Sequence, residues 1–187
     1  FPLGNIASKD DVREMVKDAH LLNAKTKDSQ EICFVEENNY VRFIEDHYGY
    51  ESIQGDFIDE KGNVLGRHNG IINYTIGQRK GLGIALGQPA YVTKINSQDN
   101  TVTLGKNEDL FKHIVYSKDN HFINSNGFVP NKLQAKIRYS AKPSSASIKT
   151  ENKLIKTTFE APQRAITSGQ SIVFYSEEIL LGGGIII

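Results

Sequence analysis

Lys132-Leu133-Gln134-Ala135-Lys136-Ile137-Arg138-Tyr139 alternates polar and apolar residues without a break. A period of two puts Leu133, Ala135, Ile137 and Tyr139 on one face of a strand and Lys132, Gln134, Lys136 and Arg138 on the other. Working outward, strand-like runs follow at 146–149, 154–160, 171–175 and 179–186, with polar turns between them. Short strands at even spacing predict a small antiparallel barrel. Upstream, Phe57-Ile58 and Val64-Leu65 flank Asp59-Glu60-Lys61-Gly62-Asn63, and 91–95 and 101–104 flank Ser97-Gln98-Asp99-Asn100. Each set reads as a hairpin. Between them lies a glycine-dense segment, 66–87.

The first fifty residues have a helical texture. Ser8 is a fitting N-cap, with Asp11 at the third helical position and Val12, Met15, Val16, Ala19 and Leu22 at helical spacing. Ile32-Cys33-Phe34-Val35 is a short apolar run, read as a buried strand or strand end. Asn38 or Asn39 can cap a second helix carrying Val41, Phe43 and Ile44, closed by Gly49. The expected class is mixed α+β, mostly β.

Composition narrows the function classes. Of 187 residues, 39% are hydrophobic and 24% charged, which excludes a disordered chain. Lys+Arg and Asp+Glu are both 22, so a nucleic-acid binder acting through bulk positive charge is excluded and any basic surface is local. No apolar run approaches the ~18–20 residues of a membrane-spanning helix. One Cys excludes an intrachain disulfide framework and a Cys-rich zinc site. No signal peptide is visible, so the expected location is the cytoplasm. The chain opens on Phe-Pro-Leu-Gly without Met and stops on three Ile, which reads as a piece of a longer protein.

Four strings, in order, carry a resemblance. They are Asp28-Ser29-Gln30-Glu31-Ile32-Cys33-Phe34; Tyr74-Thr75-Ile76-Gly77-Gln78-Arg79-Lys80-Gly81-Leu82-Gly83; Ala135-Lys136-Ile137-Arg138-Tyr139; and Gly169-Gln170-Ser171-Ile172-Val173-Phe174-Tyr175 with Leu181-Gly182-Gly183-Gly184-Ile185-Ile186. Together they resemble the tRNA-specific 2-thiouridylases, along essentially the whole chain, and the second string is the most specific. The family's pattern also has an N-terminal half with a Ser-Gly-Gly-Val-Asp-Ser-type phosphate loop and a first catalytic Cys; this sequence contains neither. The resemblance therefore implies a C-terminal half. Residues 1–36 would end the α/β ATP-binding domain with its persulfide-cysteine loop, 37–108 would form a small central β-rich domain, and 109–187 a C-terminal antiparallel β-barrel that binds tRNA.

The resemblance assigns roles to residues that local chemistry leaves open. A lone Cys33 between Ile32 and Phe34 reads by itself as a small buried hydrophobe; the family motif makes it the persulfide carrier. The implied reaction adenylates C2 of the wobble uridine with ATP and Mg²⁺, bound mainly by the N-terminal half, and delivers sulfur from Cys33, charged by an upstream persulfide relay protein. Asp28 and Ser29 read as an ordinary turn. Arg79 and Lys80, between Gly77 and Gly81, suit phosphates or a cross-domain contact, or else a solvated turn. Arg138 can grip phosphate, and Tyr139 can stack on a base, although strict alternation turns Tyr139 inward unless the strand ends there. The Gln170 amide can read a base edge or 2′-hydroxyl. The family match makes Arg138, Tyr139 and Gln170 tRNA contacts. His68 lacks companions at ligand spacing, so it reads as structural, and no metal site is expected. The Gly182-Gly183-Gly184 run reads as a strand needing close backbone approach. The expected partners are tRNA and the sulfur relay, with no membrane, and the chain is expected to be monomeric. Two rival classes remain: a tRNA-binding module without catalysis, and a thiol redox protein built around Cys33.

Overall fold

The computed structural model describes residues 3–21, 35, 39–123, 130 and 132–187. The chain divides into two compact units, Phe1–Tyr50 and Glu51–Ile187. In the first, α1 (Lys9–Asp18) opens on a complete capping box. The Ser8 hydroxyl accepts from the Asp11 amide at 3.2 Å, and the Asp11 carboxylate accepts from the Ser8 amide at 3.0 Å. Helix α2 (Tyr40–Tyr48) is capped by the Asn39 side chain, which accepts from the Arg42 amide, and ends on Gly49 in the left-handed conformation. Both helices form where the cap signals place them. Residues 32–34 of the expected apolar strand, and Cys33 with them, lie outside the described residues.

The second unit holds a four-stranded sheet and a barrel. The sheet comprises β1 (Gly55–Ile58), β2 (Val64–His68), β3 (Tyr91–Asn96) and β4 (Thr101–Gly105), in the order β2-β1-β4-β3. Both expected hairpins are present, and they join through a parallel pairing of β1 with β4. The first turn closes on Asp59, whose carboxylate accepts from the Lys61 and Asn63 amides at 2.8 Å each and from the Asn63 side-chain amide at 2.8 Å. Phe57, Tyr74, Leu82, Val92, Val102 and Leu104 form the sheet's core.

The expected barrel is there and it is closed. Its strands are β5 (Phe111–Phe122), β6 (Lys132–Lys136), β7 (Ser144–Glu151), β8 (Leu154–Arg164), β9 (Ser171–Ser176) and β10 (Ile179–Ile186), in the ring order β10-β5-β8-β7-β6-β9, all antiparallel. A six-stranded ring is narrow enough for side chains to fill it. Leu133, Ala135, Ile137, Phe159, Ile172, Phe174 and Ile186 do so. Among the described residues no helix is long and apolar enough to cross a membrane.

His68 belongs to the sheet core, as its isolation in the sequence implies. The ring is 1% exposed and meets Phe57 and Tyr74 edge-on. Its Nδ1 accepts from the Gly70 amide at 3.0 Å, so Nε2 carries the hydrogen and donates to the Asn100 carbonyl at 3.1 Å. Burial holds the imidazole below its ordinary range, against the opposing pull of the Asn100 carbonyl and the Asp56 charge. Protonation would also break the Gly70 bond. The stability that depends on neutral His68 is thus full above the unfolded-chain value of 6.5 and is lost as pH falls through the depressed folded value. Urea midpoints are expected to drop between about pH 7.5 and about pH 5, and His68→Asn, weaker throughout, to flatten that drop. An equally steep drop in the variant would place the acid lability in other groups.

Candidate functional site

The strand that decides the fold also builds one wall of a groove. β6 ends at Lys136, and the next residues turn, the Ala141 amide donating to the Arg138 carbonyl at 3.2 Å. Ile137 keeps its inward place and is 3% exposed. Tyr139 does not. It is 99% exposed, because the turn ends the alternation that would have buried it. The Lys136 ammonium stands 5.8 Å from the centre of the Tyr139 ring.

Arg138 is half-buried rather than simply solvated. Its Nη2 donates to the Ala165 carbonyl, and its Nε is buried with no partner among the described residues. No carboxylate pairs with Arg138 or Lys136 among the described residues, so both charges are uncompensated there. Across the groove, Gln170 follows Gly169 in a turn whose backbone is held by Thr167 and Ile186. The Gln170 side chain is exposed, and its carboxamide makes no hydrogen bond among the described residues, the 3.4 Å bond to the Thr167 carbonyl coming from the backbone amide.

Arg138, Tyr139 and Gln170 therefore line one groove of about 650 Å³, with Lys136 and Tyr175 beside them. Two cations, two phenol rings and a free amide on one surface can hold a phosphate, stack a base and hydrogen-bond a base edge or 2′-hydroxyl. Sequence reasoning missed Lys136 and Tyr175 as members. Tyr175 ends an apolar strand run and reads as core from the sequence. Lys136 was legible as outward-facing, and only the turn at Tyr139 gives it an aromatic neighbour.

The Tyr74–Gly83 string lies elsewhere. Its Gly77 and Gln78 bracket β3: the Gly77 amide donates to the Val92 carbonyl at 2.8 Å, and the Val92 amide to the Gln78 carbonyl at 3.0 Å. The Gln78 side chain closes its own turn, accepting from the Thr75 amide at 3.0 Å and donating to the Lys80 carbonyl at 3.0 Å. Gly77 has φ +88° and meets the barrel, since a Cβ there would lie 2.9 Å from the Ala165 methyl carbon. Beside it Arg164 crosses from the end of β8 to the sheet. Its Nε donates to the Asn107 side-chain oxygen at 3.2 Å, and its guanidinium carbon lies 5.6 Å from the Tyr91 ring centre. Arg79 and Lys80 are exposed and are absent from the groove of Arg138. Arg79 instead edges a separate hollow of about 440 Å³ formed by 81–90.

The remaining sequence candidates resolve simply. Cys33, Asp28 and Ser29 lie outside the described residues. No cluster of His, Cys, Asp and Glu fit to hold a metal occurs among the described residues. Gly182, Gly183 and Gly184 each press on a neighbouring strand or its side chains, in keeping with the close-approach reading.

Three family models match successive parts of the chain: a tRNA methyl transferase HUP domain over residues 1–37, a tRNA methyl transferase PRC-barrel domain over 41–106 and an aminomethyltransferase beta-barrel domain over 112–186. The tRNA-specific 2-thiouridylase MnmA 1 of Clostridium tetani is 52% identical over 188 residues, covering 100% of this chain and 52% of that protein. The MnmA proteins of Clostridioides difficile and Acetivibrio thermocellus are 50% and 48% identical over the same length, with the same coverage. The chain spans about half the length of the curated relatives it matches. The model descriptions name methyl transfer and the relatives' names thiolation; the relatives match along the whole of this chain.

Proposed function

The chain belongs to the tRNA-specific 2-thiouridylase family, and from that premise we propose that it is the tRNA-gripping and sulfur-carrying part of an enzyme that thiolates C2 of the wobble uridine in tRNA. The observation that carries the reading is the meeting of Arg138, Tyr139 and Gln170 on one groove, although 32 residues separate Arg138 from Gln170 in the chain. Arg138 and Lys136 take phosphate, Tyr139 offers a stacking plane and Gln170 a hydrogen-bonding edge. Arg79 and Lys80 form a second, separate cationic contact for tRNA.

Residues 1–36 end the catalytic domain, 37–108 form the central domain and 109–187 the tRNA-binding barrel. The uridine C2 oxygen attacks the α-phosphate of ATP and pyrophosphate leaves. The outer sulfur of a Cys33 persulfide then attacks C2, and AMP departs with the former carbonyl oxygen. A first catalytic Cys on the other half then attacks the Cys33 sulfur, forms a disulfide with it and frees the 2-thiouridine; in the alternative order the same attack comes first, expels sulfide from the persulfide, and the sulfide is what attacks C2. A thiol reductant opens that disulfide, and a relay protein then recharges the Cys33 thiolate by persulfide exchange. ATP with Mg²⁺ is bound mainly outside this chain, which has no glycine-rich phosphate loop of the family type; no residue here is assigned to it. The enzyme acts as a cytoplasmic monomer. The same absence favours a second reading for the chain alone: it binds tRNA and leaves it unthiolated when ATP is added.

The test is tRNA binding by the full-length enzyme across a salt series. Arg138→Ala is expected to weaken affinity about 10-fold, as loss of one charge-assisted contact does, and to lower the salt slope by about 0.7–1 unit. Unchanged affinity and slope would remove Arg138 from the tRNA interface and the groove from the proposal.

A further inference from the structure

The carbonyl that holds Arg138 belongs to a residue in a strained conformation. Ala165 has φ +53°, a region that an L-residue with a Cβ occupies only when its surroundings fix it. Its surroundings do. The Ala165 amide donates to the Leu110 carbonyl at 2.8 Å, at the foot of β5. The Ala165 carbonyl accepts from Arg138 Nη2 and from the Thr167 hydroxyl, the latter at 3.1 Å. The residue is 1% exposed, and its methyl faces Gly77, where an added Cβ would stand 2.9 Å away.

Two groove residues thus hang on one peptide. Arg138 is tied to the Ala165 oxygen directly. Gln170 is tied through Thr167, whose hydroxyl donates to that oxygen and whose own carbonyl accepts from the Gln170 amide at 3.4 Å. We propose that Ala165 is a positioning residue for tRNA binding, and that the Tyr74–Gly83 string acts on tRNA through it: Gly77 leaves room for the Ala165 methyl, so that the Ala165 carbonyl aims Arg138 and the Thr167–Gln170 turn into the groove. A guanidinium held at one end arrives at its ligand with fewer rotamers to lose. The proposal rests on the groove's reading as a tRNA site and adds a control point outside its lining.

The experiment measures binding of an unmodified tRNA transcript to the full-length enzyme, with affinity and salt slope read together. Gly77→Ala pushes a methyl against Ala165 and is expected to weaken binding about 5-fold and to lower the slope toward that of Arg138→Ala. In an Arg138→Ala background the same change should cost less than about 2-fold, because the group it displaces is gone. Adding Ala165→Gly to Gly77→Ala removes the struck atom and should bring affinity to within about 2-fold of Ala165→Gly alone. A role confined to folding would lower the melting temperature and leave both the slope and the coupling unmoved. Thr167→Val, which deletes one hydroxyl and keeps the shape, supplies a second arm should Gly77→Ala fold poorly. Its loss of affinity should vanish in a Gln170→Ala background. Additive losses in both pairs, or no recovery with Ala165→Gly, overturn the proposal while leaving the groove as a tRNA site. If Arg138→Ala and Gln170→Ala themselves leave binding unchanged, the site reading fails and the proposal with it.

Discussion

Cys33→Ser in the full-length enzyme is expected to abolish thiolation of tRNA, by at least about 10³-fold in rate, while tRNA binding stays intact. A thiolate can take a sulfur atom and hold it as a persulfide whose outer sulfur is nucleophilic. A serine hydroxyl cannot, because it forms no stable bond of that kind and stays protonated near neutral pH. The free thiol has a pKa of ~8.5, so only a minor fraction is thiolate at pH 7 unless positive charge lowers it. Lys25 and Lys27 lie eight and six residues before Cys33 in the sequence. Substituting both with Gln is expected to slow persulfide formation and leave tRNA binding unchanged.

Two measurements separate the rival readings of Cys33. Nucleoside mass spectrometry of tRNA after turnover reads the product, and intact-protein mass reads the one-sulfur adduct on the enzyme. Product from the serine variant at the normal rate would end the sulfur-carrier role and leave the chain a tRNA-binding module. A thiol redox role would instead demand that the folded protein react readily with iodoacetamide near neutral pH whether or not tRNA and ATP are present. Binding and chemistry are expected to part cleanly. Arg138→Ala weakens the complex and keeps the adduct; Cys33→Ser keeps the complex and loses the adduct.

Local signals carried most of the architecture. Ser8 with Asp11, Asn39 and Gly49 announce both helices through capping chemistry that acts over three or four residues. Both hairpins are fixed by their turns. The long strand β5 escaped because its pattern is poor. Only Val115 and Ser117 are buried along its 12 residues, one of them polar, and an irregularity between Lys112 and Ile114 breaks the period of two. The parallel pairing of β1 with β4 escaped because nothing within either strand names a partner 45 residues away. At the groove, alternation argued that Tyr139 turns inward, and the turn that reverses it is signalled only by Ser140-Ala141-Lys142-Pro143. Ala165 carried no signal at all, since its significance is a carbonyl and a backbone angle rather than a side-chain type.

The triple glycine makes the second large prediction. Gly182→Val is expected to destabilise the barrel by about 2–5 kcal/mol, summing an overpacking cost of about 1–3 kcal/mol and a positive-φ backbone cost of about 1–2 kcal/mol. Gly182 has φ +154°, and a Cβ there would strike the His121 carbonyl oxygen and lie 2.8 Å from the Phe122 Cα. Both are backbone of β5, so no side chain can rotate away. β10 is bonded on both sides, to β5 and to β9, and a shift at Gly182 breaks the ring closure. The melting temperature should fall by roughly 10 °C or more. Gly62→Ala is the matched control: Gly62 also has a positive φ, +85°, but nothing lies within 4 Å of a Cβ there, so its cost should stay near about 1 kcal/mol. Equal losses in the two variants would mean that close approach to β5 is not what Gly182 provides. The consequence reaches the groove because Gly183 pairs with Val173 and Ile185 with Ser171, both on β9 and both in the groove wall. Gly182→Val should therefore lose tRNA binding together with the fold as temperature rises, whereas Cys33→Ser should lose thiolation with the melting temperature unchanged.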